Sequence, residues 1–160
     1  MSQQIQIPKD WKLNKDGRYD VNGDVQISKE MVSEGKLLVK FGKVSGSFHC
    51  SDLALTTLEG APKEVGCDFF CMHNELTSLT GAPERVGRNF YCPRNKLSSL
   101  EGSPQRVGGN FCCIHNRLST LKGAPKEVGC DFECWGNELK SLEGTPEKIG
   151  GDLITWVKFG

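Results

Sequence analysis

The residues with chemistry to offer recur at a fixed spacing. Cysteines stand at 50, 71, 92, 113 and 134, and His73, Cys112 and His115 fall among them. A thiol and two imidazoles suit a soft metal, but a metal site wants ligands converging on one point, and these three occupy different steps of a repeat. Cys112 with His115 as base has the composition of a nucleophile pair. It lacks a third group to orient the imidazole and a pocket to hold a substrate. Phe70 and Tyr91, beside Arg94, Lys96 and Arg117, could stack bases and hold phosphates of single-stranded nucleic acid. Glu75, Glu133 and Glu138 interleave with those cations, and Lys+Arg and Asp+Glu balance at 20 each, so no net field draws a polyanion. The sequence therefore reads as non-enzymatic, free of metal and other cofactors, and poorly suited to nucleic acid.

What positions these side chains is a 21-residue phrase repeated five times between Phe48 and Asp152, F-x-C-x-x-N-x-L-x-x-L-x-G-x-P-x-x-V-G-x-(D/N), with no insertion. A strict period in this range marks a solenoid, in which no single coil can bury its own apolar face without neighbours. Within a coil, F-x-C alternates in and out with the period of a strand. Phe, Cys, two leucines such as Leu97 and Leu100, and a valine such as Val107 face inward. The half running from Glu101 to Gly108 carries too much Gly and Pro for an α-helix and is expected to be extended or a tight turn. Equivalent strands then stack into a parallel sheet about 4.8 Å apart. The asparagines at 74, 95, 116 and 137 stand where the chain turns inward, and their amides can bond backbone of the adjoining coil. Leu53 takes that slot in the first copy, so the ladder is expected to begin one coil later.

The flanks are less regular. Residues 1–47 read as a cap with a degenerate first coil, because Val21-Asn-Gly-Asp-Val-Gln-Ile27 matches Val65-Gly-Cys-Asp-Phe-Phe-Cys71 place by place. Trp11 and Leu13 are its candidate anchors, Asn14–Gly17 a turn, and Ser28–Lys36 a short helical turn. Leu37, Val39, Phe41 and Val44 lead into the array. Residues 48–152 form the five repeats, and 153–160 begin another copy, with Trp156 and Phe159 as possible capping rings, all within one domain. Eight cysteines would suit a disulfide scaffold, but five of them share one repeat position and leave one without a mate. The first residues lack the basic and apolar parts of a signal peptide, so reduced, buried thiols and a cytoplasmic location are expected.

The phrase resembles the leucine-rich repeats, whose L-x-L-x-x-N-x-L reads here as Phe90-x-Cys92-x-x-Asn95-x-Leu97, followed by Leu100. It is most similar to the short bacterial type, in which an extended Pro-containing segment replaces the convex helix. The Gly-x-Pro and Val-Gly-x-(Asp/Asn)-Phe-x-Cys elements look like repeats found in proteins of tailed bacteriophages and bacteria. Two features depart from the family. The valine lies four residues before the Phe instead of three, and Leu-Pro becomes Gly-x-Pro. The resemblance implies a right-handed, mainly β solenoid with a parallel sheet on one face and extended or turn segments on the other. It also implies a binding scaffold, usually for protein, working through the strand face, and no catalysis.

On that face the frame is constant and the outward slots vary. One column reads His49, Phe70, Tyr91, Cys112, Glu133; the next Ser51, Met72, Pro93, Ile114, Trp135; the third Asp52, His73, Arg94, His115, Gly136. Aromatics, Met and Arg are enriched at protein interfaces, and a contiguous exposed apolar patch is something monomers avoid. Phe70, Met72, Tyr91, Arg94, Ile114, His115 and Trp135 are the candidate partner-binding residues. A bacteriophage inhibitor of a host enzyme or defence factor is one expectation for such a scaffold. A structural or self-associating solenoid joined at the edge formed by Leu153–Phe159 is the alternative. The charged slots around Lys63-Glu64 and Glu84-Arg85 mix signs and read as a solvated edge.

Overall fold

Successive copies pair in register through their Phe-x dipeptides. In the computed structural model, which describes residues 5–157, Phe90 lies opposite Phe69 and Phe111, and Phe111 opposite Phe132. The five phenylalanines are fully buried and stack ring on ring, with centroids 5.1–5.5 Å apart. Beside them run the inward cysteines and two columns of leucine, all buried along the array except Leu142 in the last copy. The result is mainly β, a solenoid of about six turns.

The valines build a second parallel sheet that the sequence reading did not foresee. Glu64–Val65, Arg85–Val86, Arg106–Val107, Glu127–Val128 and Lys148–Ile149 pair coil to coil, each Val or Ile turned toward the core and each charge toward solvent. Each coil therefore contributes two strands of two residues, one per sheet, joined by a Gly-x-(Asp/Asn) corner. The rest of the coil is turn, as expected from its Gly and Pro content.

Close stacking explains two constant glycines. Gly81 has φ +93, and a Cβ there would lie 2.6 Å from the carbonyl carbon of Leu58 in the preceding coil. Gly87 has no unusual φ, but a Cβ on it would overlap the carbonyl oxygen of Gly66.

Polar groups at the bends are joined by two ladders. The Asn95 amide nitrogen donates to the carbonyls of Cys71 and Cys92 at 3.0 and 3.2 Å, and its oxygen accepts from Leu76 N–H at 3.1 Å. Asn116 and Asn137 repeat this, and Asn74 reaches back to Leu53 and Leu55 N–H, so the ladder starts at the second copy as expected. The second ladder runs along the corners. Each corner Asx accepts the backbone N–H of the next: Asp68 from Asn89, Asn89 from Asn110, Asn110 from Asp131, and Asp131 from Asp152.

At the N-terminal end Lys12–Leu13 and Tyr19–Val21 form an antiparallel hairpin around an Asn14 turn, and Tyr19–Val21 joins the Val sheet through Phe41–Val44. Val25–Gln26 pairs with Phe48–His49, the degenerate coil read from the sequence. Trp11 packs edge-on against Phe41 at 5.1 Å, whereas Leu13 is exposed and anchors nothing. The Ser28–Lys36 stretch holds a 3-10 turn at Lys29–Met31 and then a small hairpin, Val32–Ser33 with Lys36–Leu37. At the other end Leu153–Ile154 pairs with Phe132–Glu133, but Trp156 is 72% exposed and does not cover the core. Phe159 lies outside the described residues. Among the described residues no helix is long and apolar enough to cross a membrane.

Candidate functional site

The outer face of the Phe sheet is assembled one residue per coil. Because Phe90 and Cys92 point in, Tyr91 and Pro93 point out, and parallel register places Phe70 next to Tyr91. His49 stacks on Phe70 at 4.6 Å and Phe70 on Tyr91 at 5.2 Å, with ring planes within 14°. Both faces of Phe70 are therefore occupied, and this stack offers ring edges to a ligand more than ring faces. Phe70, Met72, Tyr91, Ile114 and Trp135 are half-buried, so the patch is a stripe of partly shielded side chains, not a fully bare surface. His115 lies edge-on to Trp135 at 4.5 Å, and Trp156 continues from Trp135 at 5.5 Å. The seven candidate residues thus share one face, with Arg94 and His115 exposed along its border.

Cys112 departs from the column it was assigned to. It lies in register between Tyr91 and Glu133, yet is only 4% exposed. Burial pushes its thiol up to about 11, opposed in part by a hydrogen bond from Ile114 N–H. A thiol held protonated in this way makes a poor nucleophile at neutral pH. Tyr91 is also raised, by partial burial first and then by the negative fields of Asp68, Cys112 and Glu133. The inward thiols Cys50, Cys71, Cys92 and Cys113 are driven far upward by complete burial. All eight cysteines are free, which agrees with reading the ladder as small buried hydrophobes. His73, 3.8 Å from Asp52, is a coil or more away from His115 and Cys112. Among the described residues no three His, Cys, Asp or Glu side chains gather as a metal-binding group.

A feature of the third outward column was missed. Asp52, His73, Arg94 and His115 all have left-handed backbone, φ +53 to +59, as does Gly136 at φ +71. The signal was the glycine itself, the residue that adopts this conformation most readily. The Val sheet also carries an unexpected feature, a groove of about 610 Å³ bordered by Asp20, Lys43, Glu64, Arg85 and Arg106 and floored by Gly66 and Gly87. Its charges largely pair along the stack, Lys43 with Glu64 at 3.2 Å and Arg106 with Glu127 at 3.3 Å. Exposed pairs of this kind contribute little, and coil spacing already accounts for the bare floor.

No family model matches the chain, and neither the curated proteins nor the solved structures yield a match.

Proposed function

We propose that the chain is a non-enzymatic protein-binding scaffold that docks its partner on the outer face of the Phe sheet. Phe70, Met72, Tyr91, Ile114 and Trp135 would supply the apolar contact, with Arg94 and His115 giving directed polar contacts at its border. The supporting observation is the contrast within each coil. The positions that build the solenoid stay the same from copy to copy, while the outward slots change every time and collect aromatic, Met and Ile side chains left half-open. The repeat resemblance adds a finer proposal, a leucine-rich-repeat-like cytoplasmic protein of bacteriophage type that occludes a host enzyme or defence factor. Co-purification from host lysate with wild type and a Tyr91→Ala/Trp135→Ala double variant tests this reading. Partners recovered by the wild type and lost by the folded double variant are expected; equal recovery would discard the face.

A second reading is self-association through the C-terminal edge. Among the described residues Leu153–Ile154 is paired on one side only, Ile154 is 38% exposed and Trp156 72% exposed, and such an edge is a template for another strand. A solution mass of a dimer, reduced to a monomer by Trp156→Ser with Ile154→Lys, would favour it.

A further inference from the structure

Arg94 occupies a backbone conformation that arginine seldom adopts. Its column, Asp52, His73, Arg94, His115 and Gly136, is left-handed throughout. Asp and His enter that region more often than other side chains, and glycine enters it freely. Gly136 demonstrates that the turn needs no side chain, so in four successive coils one is carried against the preference of the main chain. Strain of this kind gathers where a side chain is used.

Charge supplies the second observation. At the start of the column Asp52 faces His73 at 3.8 Å. In the neighbouring column, Glu75, Lys96, Arg117 and Glu138, Lys96 pairs with Glu75. Arg94 and Arg117 form no ion pair or side-chain hydrogen bond among the described residues. Backbone bonds from Arg94 N–H to Ile114 O and from Arg117 N–H to Leu97 O place the two arginines on adjoining, hydrogen-bonded coils. The Arg94 main chain thus adjoins Ile114 on the apolar stripe, and Arg117 follows Ile114 three residues later in the same coil. Two uncompensated cations thus stand beside a half-open apolar stripe.

We propose that this border recognises an acidic segment of a protein partner. Arg94 and Arg117 would grip a carboxylate through paired N–H donors, while an adjacent apolar side chain of the segment rests on Tyr91, Ile114 and Trp135. The inference rests on the docking face proposed above and specifies its ligand. A nucleic acid could offer phosphates to the same cations, but its bases would find the faces of Phe70 already covered.

The test uses the full chain. Short random peptides are selected for binding by display, and the enriched sequences are synthesised and titrated at low and high salt. Enriched peptides are expected to carry Asp or Glu beside an aliphatic or aromatic residue, and to bind more weakly as salt rises. Arg94→Gly is expected to weaken them about tenfold or more, with a melting temperature equal to or above the wild type because glycine relaxes this turn. Amide replacements of the peptide's acids should have the same effect. Enrichment without acidic residues, unchanged affinity in Arg94→Gly, or equal competition by a single-stranded oligonucleotide would each overturn the proposal. Peptides that depend on Tyr91 and Trp135 but not on Arg94 would overturn acid recognition and leave the docking face standing. No enrichment, or binding indifferent to all three residues, would remove both.

Discussion

Replacing Asn95 with alanine removes one rung from the inner ladder and leaves its backbone partners buried. The side chain makes three good hydrogen bonds, donating to Cys71 O and Cys92 O and accepting from Leu76 N–H. At about 1 kcal/mol net for each bond, the direct loss is about 3 kcal/mol. Asn74 and Asn116 still donate to Cys71 O and Cys92 O, so Leu76 N–H alone is orphaned, and a buried unpaired donor costs about 1–3 kcal/mol more unless water replaces the partner. A total of about 4–6 kcal/mol follows, a large fraction of a typical domain's stability. Asn137 makes equivalent bonds at 3.0, 3.0 and 2.9 Å but is only half-buried. Water can reach its partners, so Asn137→Ala should cost about 1–2 kcal/mol. Urea titrations of both variants, compared at a common slope, measure the difference. Equal losses, or an Asn95→Ala loss below about 1 kcal/mol, would refute the claim that these bonds are closed to water and hold coil to coil.

Other expectations follow from the same geometry. Gly87→Ala forces a methyl onto the Gly66 carbonyl and should cost about 2 kcal/mol or more, measured by thermal melting against the wild type. Phe90→Ala should cost about 3–5 kcal/mol, whereas Tyr91→Ala should cost about 1 kcal/mol or less, since its stacking on Phe70 is at the surface. The buried thiols give a pH dependence of definite sign. Their folded pKa lies above the unfolded value of about 8.5, so the unfolded chain loses protons first and stability falls as pH rises past that value. At about one unit above it, each fully buried thiol removes about 1.4 kcal/mol, and denaturation of the wild type between neutral and alkaline pH should show the decline that Cys92→Ala lessens. Alkylation of the native chain near pH 8 should mark Cys67 and Cys130 and spare the inward ladder, read by peptide mass.

The solenoid was legible because its signal is repetition: Phe, Cys, Asn, Leu and Pro return at one spacing, and coordinates place each at an equivalent point. The Val sheet was not legible, since a dipeptide such as Arg85–Val86 is too short for alternation to register, and the Gly and Pro around it pointed only to an extended segment or a tight turn. The corner ladder was present in the sequence as the Asp or Asn before Phe69, Phe90, Phe111 and Phe132, but nothing local distinguishes an Asx bonded to the next coil from one facing water. At the candidate site, alternation correctly turned Tyr91 and Trp135 outward. It could not foresee that Cys112, small and placed between two longer side chains, would be covered by its surroundings, or that Trp156 would stand open. The left-handed turn at Arg94 had one clue, Gly136 in the same slot, which the chemical variety of the other occupants obscured.

Hydroxyl-radical footprinting of the native chain, read residue by residue by mass spectrometry, tests most directly the inside-outside assignment on which the docking face depends. Met72, Tyr91, Trp135 and Trp156 should oxidise readily, and Phe69, Phe90 and Phe111 should be protected until the chain is unfolded. Protection of Tyr91 and Trp135 together with oxidation of Phe90 at its unfolded rate would contradict the account.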